Sequence, residues 1–177
     1  MTREELVASA VWILFAGHET TINLICNGTL VLGIHPDQRD FLLQDPAGKM
    51  KSNTEECLRY DSPVKSLPLR ANEGVELVGK TIKKSDRVRW FMTAANRDPG
   101  ILSDPDTFDI NRYPNLHVSF GSGIHQSLSA TLARMKGQEA FKSLVERLPN
   151  LRLEPQELEH VPSTTFWSLK ALQVSWN

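Results

Sequence analysis

Apolar residues fill almost every position from Leu6 to Ala16, and the run ends at the polar cluster His18-Glu19-Thr20-Thr21. Just ahead of it, Thr2-Arg3-Glu4-Glu5 sets a hydroxyl three positions before a carboxylate, which is the pattern of a helix-capping box. The next proline is Pro36, so the pattern predicts one helix from that box to about Gly33. Its first half is apolar on nearly every face, and burial all round is expected there. The run is shorter than the roughly 20 apolar residues that a membrane span requires. Arg3 is answered at once by Glu4 and Glu5, unlike the basic start of an export signal.

A second helix is predicted from Pro36 to Leu43, stopped by Asp45-Pro46, and a third from a second capping box, Ser52-Asn53-Thr54-Glu55, to just before Ser62-Pro63. From Lys65 the texture changes. Val75 to Val78 and Arg87 to Met92 have the composition of short strands between turn residues. Asn96 to Phe120, dense in Pro, Asp, Asn and Arg, predicts a long ordered meander, and such segments are often functional. A fourth helix is expected over Leu128 to Leu148, with Leu132, Met135, Phe141, Leu144 and Val145 as its apolar stripe. Short strands close the chain around Leu151–Leu153 and Leu169–Val174. The expected architecture is mainly α with small β-sheets, in a single domain over residues 1–177.

Composition narrows the function classes. The chain has 177 residues, 40% of them hydrophobic and 23% charged, with a net charge of −1. That balance lacks the basic footprint of a nucleic-acid binder. Cys26 and Cys57 make neither a disulfide framework nor a zinc cluster, so a reduced, cytoplasmic setting is expected.

Three clusters carry candidate chemistry. Ala16-Gly17-His18-Glu19-Thr20 interrupts the first helix with a glycine, which costs roughly 1 kcal/mol against alanine and calls for a flat ligand or a close helix as its reason. Glu19 beside Thr20 offers a carboxylate and a hydroxyl for proton relay, and His18 adds an imidazole, the side chain most often used as a general acid or base. Glu56 and Arg59, three apart, share one helical face and can pair. Phe120-Gly121-Ser122-Gly123-Ile124-His125-Gln126-Ser127 is a glycine loop leading into a helix, where backbone can approach a ligand closely and free N–H groups are available.

In this order and spacing, the clusters resemble the cytochrome P450 superfamily of haem-thiolate monooxygenases. Ala16 to Thr20 is similar to its oxygen-activating helix motif, and Glu56 and Arg59 to its Glu-x-x-Arg pair, which in the family joins an arginine of the meander, here Arg112. Ala95 to Pro99 and Asn115 to Gly121 are further segments of the same kind. The resemblance implies the C-terminal half of that fold, with Arg70, His117 and His125 at haem-propionate positions and Phe120, Gly121 and Gly123 in the haem loop.

Two departures follow from the resemblance. The family's iron-ligating cysteine position holds Ser127, and a hydroxyl is a harder, weaker ligand than the thiolate that drives O–O cleavage. The family's front half has no counterpart in these residues. Haem, the ancestral cofactor, is therefore expected to be absent, and no metal ligand set is expected. The expected function is acid–base conversion of a small, secondary-metabolite-like molecule by His18, Glu19 and Thr20 in a vacated cleft also lined by Gly17, His117, His125 and Ser127. Two alternatives stand beside it. One is an auxiliary protein that activates a partner such as a glycosyltransferase, or pairs with a second copy over the uncovered face. The other is a Ser- or His-ligated haem protein with residual oxidoreductase activity. Neither nucleic acid nor membrane is expected as a partner.

Overall fold

The computed structural model describes all 177 residues. The capping box at the start forms as expected. Thr2 Oγ1 accepts from Glu5 N at 3.2 Å, and Glu5 Oε2 accepts from Thr2 N at 2.7 Å. From it runs α1 (Arg3–Ile34), which stops where Pro36 restricts the residue before it. The helices α2 (Pro36–Gln44) and α3 (Pro46–Tyr60) follow, each with proline in its first turn.

The strands come next. β1 (Ser66–Arg70) pairs antiparallel with β4 (Arg87–Phe91), and β2 (Val75–Leu77) and β3 (Lys80–Ile82) form the hairpin between them. A single helical turn, α4 (Met92–Ala95), leads into the meander, and α5 (Ala130–Arg147) leads out of it. The last pair, β5 (Arg152–Leu153) with β6 (Val174–Ser175), closes the chain. No helix is long and apolar enough to cross a membrane.

The core lies where α1, α3 and α5 meet. Leu24, Val31 and Leu32 of α1 pack with Leu42 of α2, Met50, Cys57 and Leu58 of α3, and Phe141 of α5; Phe108 and Ile110 of the meander seal the cluster. Two glycines allow this approach. A Cβ at Gly137 would stand 2.9 Å from Leu24 Cδ2 and 3.0 Å from Thr54 Cγ2, and one at Gly28 would run into the Phe141 ring.

Four expectations are corrected here. The apolar half of α1 is not buried all round: Val11, Trp12, Ile13 and Leu14 are 62–73% exposed, and the helix's buried residues begin only at Asn23. Phe166 of the tail meets only Phe15 on that half, and Val11 to Leu14 stay exposed, because a hydrophobic pattern states what a surface requires without supplying it. Second, α3 starts at Pro46, capped by Asp45 Oδ1 accepting from Gly48 N at 3.0 Å. Ser52 lies inside the helix and donates to Lys49 O, so its apparent capping box is not used.

Third, β1 and β3 were not foreseen. Pro68 disguises β1, but a proline is tolerated in a strand with a free edge. Fourth, of the stripe on α5 only Phe141 is fully buried, whereas Leu132 and Met135 are more than half exposed.

Candidate functional site

A buried ionic knot fixes the meander to α3. Arg59 donates from Nε to Glu56 Oε2 at 2.8 Å and from Nη2 to Glu56 Oε1 at 2.7 Å. Its remaining N–H groups reach the carbonyls of Asn96, Pro105 and Thr107. Glu56 also accepts from Asp109 N, Asn115 Nδ2 and Arg112 Nε. Arg112 in turn donates to the carbonyls of Ser103, Asp104 and Thr107. The knot thereby stitches residues 96–115 onto a helix that has no strand to pair with them.

Downstream, the meander enters the glycine loop. Asn96 Oδ1 accepts from Val118 N, and Ser119 Oγ donates to Leu58 O at 2.7 Å, which anchors the loop's base. Ser127 N donates to Phe120 O at 2.8 Å and closes the loop across its neck. Gly121 adopts φ +80°, and a Cβ there would lie 2.9 Å from His125 O, so only glycine suits the turn. A single 3-10 turn, Gly123–His125, forms the loop's tip.

Behind Phe120 lies a second ionic cluster that the sequence did not single out. Arg134 of α5 donates to Glu55 Oε1 at 2.7 Å and Oε2 at 3.0 Å, and its guanidinium sits 4.5 Å from the Phe120 ring centre. His117 Nε2 lies 3.0 Å from Glu55 Oε2, and its Nδ1 accepts from Ser119 N. Burial alone would raise Glu55, but the hydrogen bonds from His117 and Arg134 outweigh it and hold the carboxyl down at about 2.

The loop faces α1 across a cleft of about 320 Å³. Trp12, Phe15 and Leu24 of α1, Leu58 of α3, Leu67 of β1, Phe120 of the loop and Phe166 of the tail supply most of its apolar lining. Phe15 meets Phe166 edge-on at 5.7 Å between ring centres, and Trp12 lies 5.9 Å from Phe15. Polar atoms come from Thr20, Thr21, His125, Ser127 and Ser129, and Thr20 Oγ1 already donates to Ala16 O at 2.7 Å.

Of the expected site residues, the structure brings Thr20, Phe120, Gly121, His125 and Ser127 to this cleft. Gly17, His18 and Glu19 do not line it, nor does Gly123, which is exposed. His18 is exposed, and the space beside Gly17 is open, so no helix packs against that glycine. His117 is turned away into the pair with Glu55. Arg70 faces away as well. Side chains alternate along β1, so Leu67, which lines the cleft, and Arg70, three residues on, point to opposite faces of the strand.

Residues 50–175 match the family described as Cytochrome P450. The chain belongs to the cytochrome P450 family. It is 41% identical to "Biotin biosynthesis cytochrome P450" of Bacillus subtilis over 99% of its own length and 44% of the relative's. The P450BioI structure in complex with a fatty-acid-ligated acyl carrier protein superposes with a TM-score of 0.95 and 41% identity, over 100% of this chain and 46% of that one. The CYP109E1 structure from Bacillus megaterium in complex with testosterone gives 0.94 and 38%, over 100% and 49%. The chain therefore spans somewhat under half the length of the P450 relatives it matches.

Haem held by a cysteine thiolate is the cofactor of this family. The donor set at the cleft does not fit a thiolate-ligated iron. Cys57 is fully buried inside α3, and Cys26 lies on α1 away from the lining, so no thiol reaches the cleft. The loop offers instead Ser127 Oγ, 3.2 Å from Ser129 Oγ.

Proposed function

We propose that this P450-family chain binds a small, largely apolar molecule in the cleft and does not carry out haem-thiolate oxygen chemistry. One observation carries the reading: an aromatic wall of Trp12, Phe15, Phe120 and Phe166 encloses few polar groups and no thiol. Ser127 stands where the family's loop holds its iron-ligating cysteine, and a serine hydroxyl is a poor replacement for that soft donor. Conversion by His18 and Glu19 loses support because neither side chain lines the cleft. Thr20, His125 and Ser127 instead provide a few polar anchors on an apolar lining, the usual make-up of a small-molecule site.

Two arms test this. Testosterone, which a relative's structure contains, is titrated against the chain while tryptophan fluorescence is followed, since Trp12 borders the cleft. A saturable change that weakens in Phe15→Ala supports binding, and no change in the native chain overturns it. In the second arm haem is added with carbon monoxide. The native chain gives no thiolate-type spectrum and Ser127→Cys gives one; a thiolate-type spectrum from the native chain refutes the proposal.

A second reading is favoured by the P450BioI complex, in which the ligand is attached to an acyl carrier protein. We extend that arrangement to this chain: its apolar ligand arrives on an acyl carrier protein rather than free in solution.

A further inference from the structure

Residues 160–169 form a strap beside the cleft. His160 and Leu169 make an antiparallel bridge at its root, and Val161 N donates to Ser168 O at 2.9 Å. Thr165 and Phe166 line the cleft, where Phe166 meets Phe15 edge-on. The strap's main anchors lie in residues 63–66. Trp167 N donates to Pro63 O at 2.9 Å, Lys65 N to Thr165 O at 2.7 Å, and Ser66 Oγ to Thr164 O at 2.7 Å. Asn27 Nδ2 of α1 adds a bond to Trp167 O at 3.0 Å.

Next to Phe166, the Trp167 side chain is held by charged and aromatic groups. Its indole stacks on the His160 ring at 3.8 Å between centres, and the Lys65 ammonium lies 4.7 Å from its centre. Its N–H donates to the carboxyl of Asp61, at the end of α3. The Asp61 carbonyl accepts from the same Asn27 amide at 3.4 Å, so one acid stands where α1, α3 and the strap meet. From the meander side Arg97 acts on it, while bonded itself to Asp106 and Tyr60 O. Cys57, one turn back on α3, stays a neutral thiol because burial drives its pKa up. Burial and Lys65 push His160 down.

The closed junction is destabilised in two ways. Burial outweighs Arg97 and the indole bond and drives Asp61 up to about 6, so above that pH the junction encloses an anion. Asn27 Oδ1 and Ser62 Oγ are buried beside it without a protein partner, which is also unfavourable. Opening to water relieves both.

We propose that Asp61 is a pH-sensitive latch for this strap: protonated, it seats Trp167 and lets Phe166 wall the cleft, and ionised, it releases both. The proposal rests on the cleft being a ligand site, as in the reading above, and adds the control of that site. The sign follows from linkage. An acid raised in the closed state favours closure in full below its open-state value near 4, and that contribution is lost as pH rises through about 6.

Hydrogen exchange tests the strap without any ligand. The protection of the Lys65 and Trp167 amides, corrected for intrinsic exchange, is followed from pH 5 to pH 7.5. A carboxyl near 4 in the open strap and about 6 in the closed one predicts a fall in protection of about tenfold across that range. The fall is expected to vanish in Asp61→Asn and to persist in His160→Gln. Constant protection in the native chain overturns the proposal, as does a fall that is lost in His160→Gln and kept in Asp61→Asn. Equal protection and an equal fall in the α3 amides would mean unfolding of the whole chain and also overturn it. In a second arm testosterone is titrated at both pH values. The native chain is expected to bind it up to about tenfold more weakly at pH 7.5, and Asp61→Asn equally at both. Binding that ignores pH while the strap opens overturns the control of the cleft. Absence of binding overturns the cleft reading and leaves exchange to decide the latch.

Discussion

Arg59 and Glu56 face each other through two near-parallel hydrogen bonds, 2.8 and 2.7 Å long, and neither side chain has any exposure to solvent. Removing one partner would leave a buried charge without compensation. Arg59→Ala is expected to cost about 3–5 kcal/mol, measured by urea unfolding. A cost below about 1 kcal/mol would mean that the knot does not hold the meander.

Asp61, which caps the end of α3, behaves in the opposite sense. Burial pushes its carboxyl up to about 6, against the opposing pull of Arg97 and of the Trp167 hydrogen bond. A raised acid contributes stability that is complete below its unfolded value near 4 and is lost as pH rises toward 6. Above that window the fold carries the cost of a buried anion. Asp61→Asn is therefore expected to stabilise the chain at pH 7 by about 2 kcal/mol and to change little at pH 4, as read from thermal melts at both.

Glu55 gives the mirror-image dependence. Its depressed carboxyl contributes stability above about 4.5 that is lost as pH falls toward 2. Taking away Arg134 removes one of the two groups that hold it down. Arg134→Gln is expected to move the acid-unfolding midpoint to higher pH, followed by circular dichroism. An unchanged midpoint would show that the Arg134 bonds carry no weight.

Gly137 tests how closely the helices pack. Its Cβ would stand 2.9 Å from Leu24 and 3.0 Å from Thr54, both held in the core. Gly137→Ala is expected to destabilise by about 1–3 kcal/mol despite alanine's better helix propensity. A rise in melting temperature would mean that α1 and α3 yield to the methyl group.

Ile13 and Leu14 stand 71% and 73% exposed on α1. Replacing both with lysine should leave stability within about 0.5 kcal/mol, because no packing is lost. Light scattering at rising concentration is expected to show less self-association than in the native chain, as an apolar patch of this kind promotes association. Identical scattering would remove that role from the helix.

What the sequence made legible was local. The box at Thr2 is recognisable because its donors and acceptors lie within four residues, and the Glu56–Arg59 spacing because it is one helical turn. Ser52 misled for the same reason: a box motif has no bearing when Asp45 and Pro46 have already started the helix. Alternation along β1 could have placed Arg70 away from the cleft, had Pro68 not hidden the strand. The fate of Leu6 to Ala16 was beyond reach, because burial depends on what lies opposite and the pattern names no partner. Glu55 and Arg134, 79 residues apart, form a pair that only the tertiary fold brings together.

Trp12 and Phe15 belong both to the cleft lining and to the uncovered stretch of α1. A molecule packed on that stretch and a ligand in the cleft would touch the same two rings. Two such binding events would be coupled through one helix, and by thermodynamic reciprocity each would change the other's affinity by the same factor.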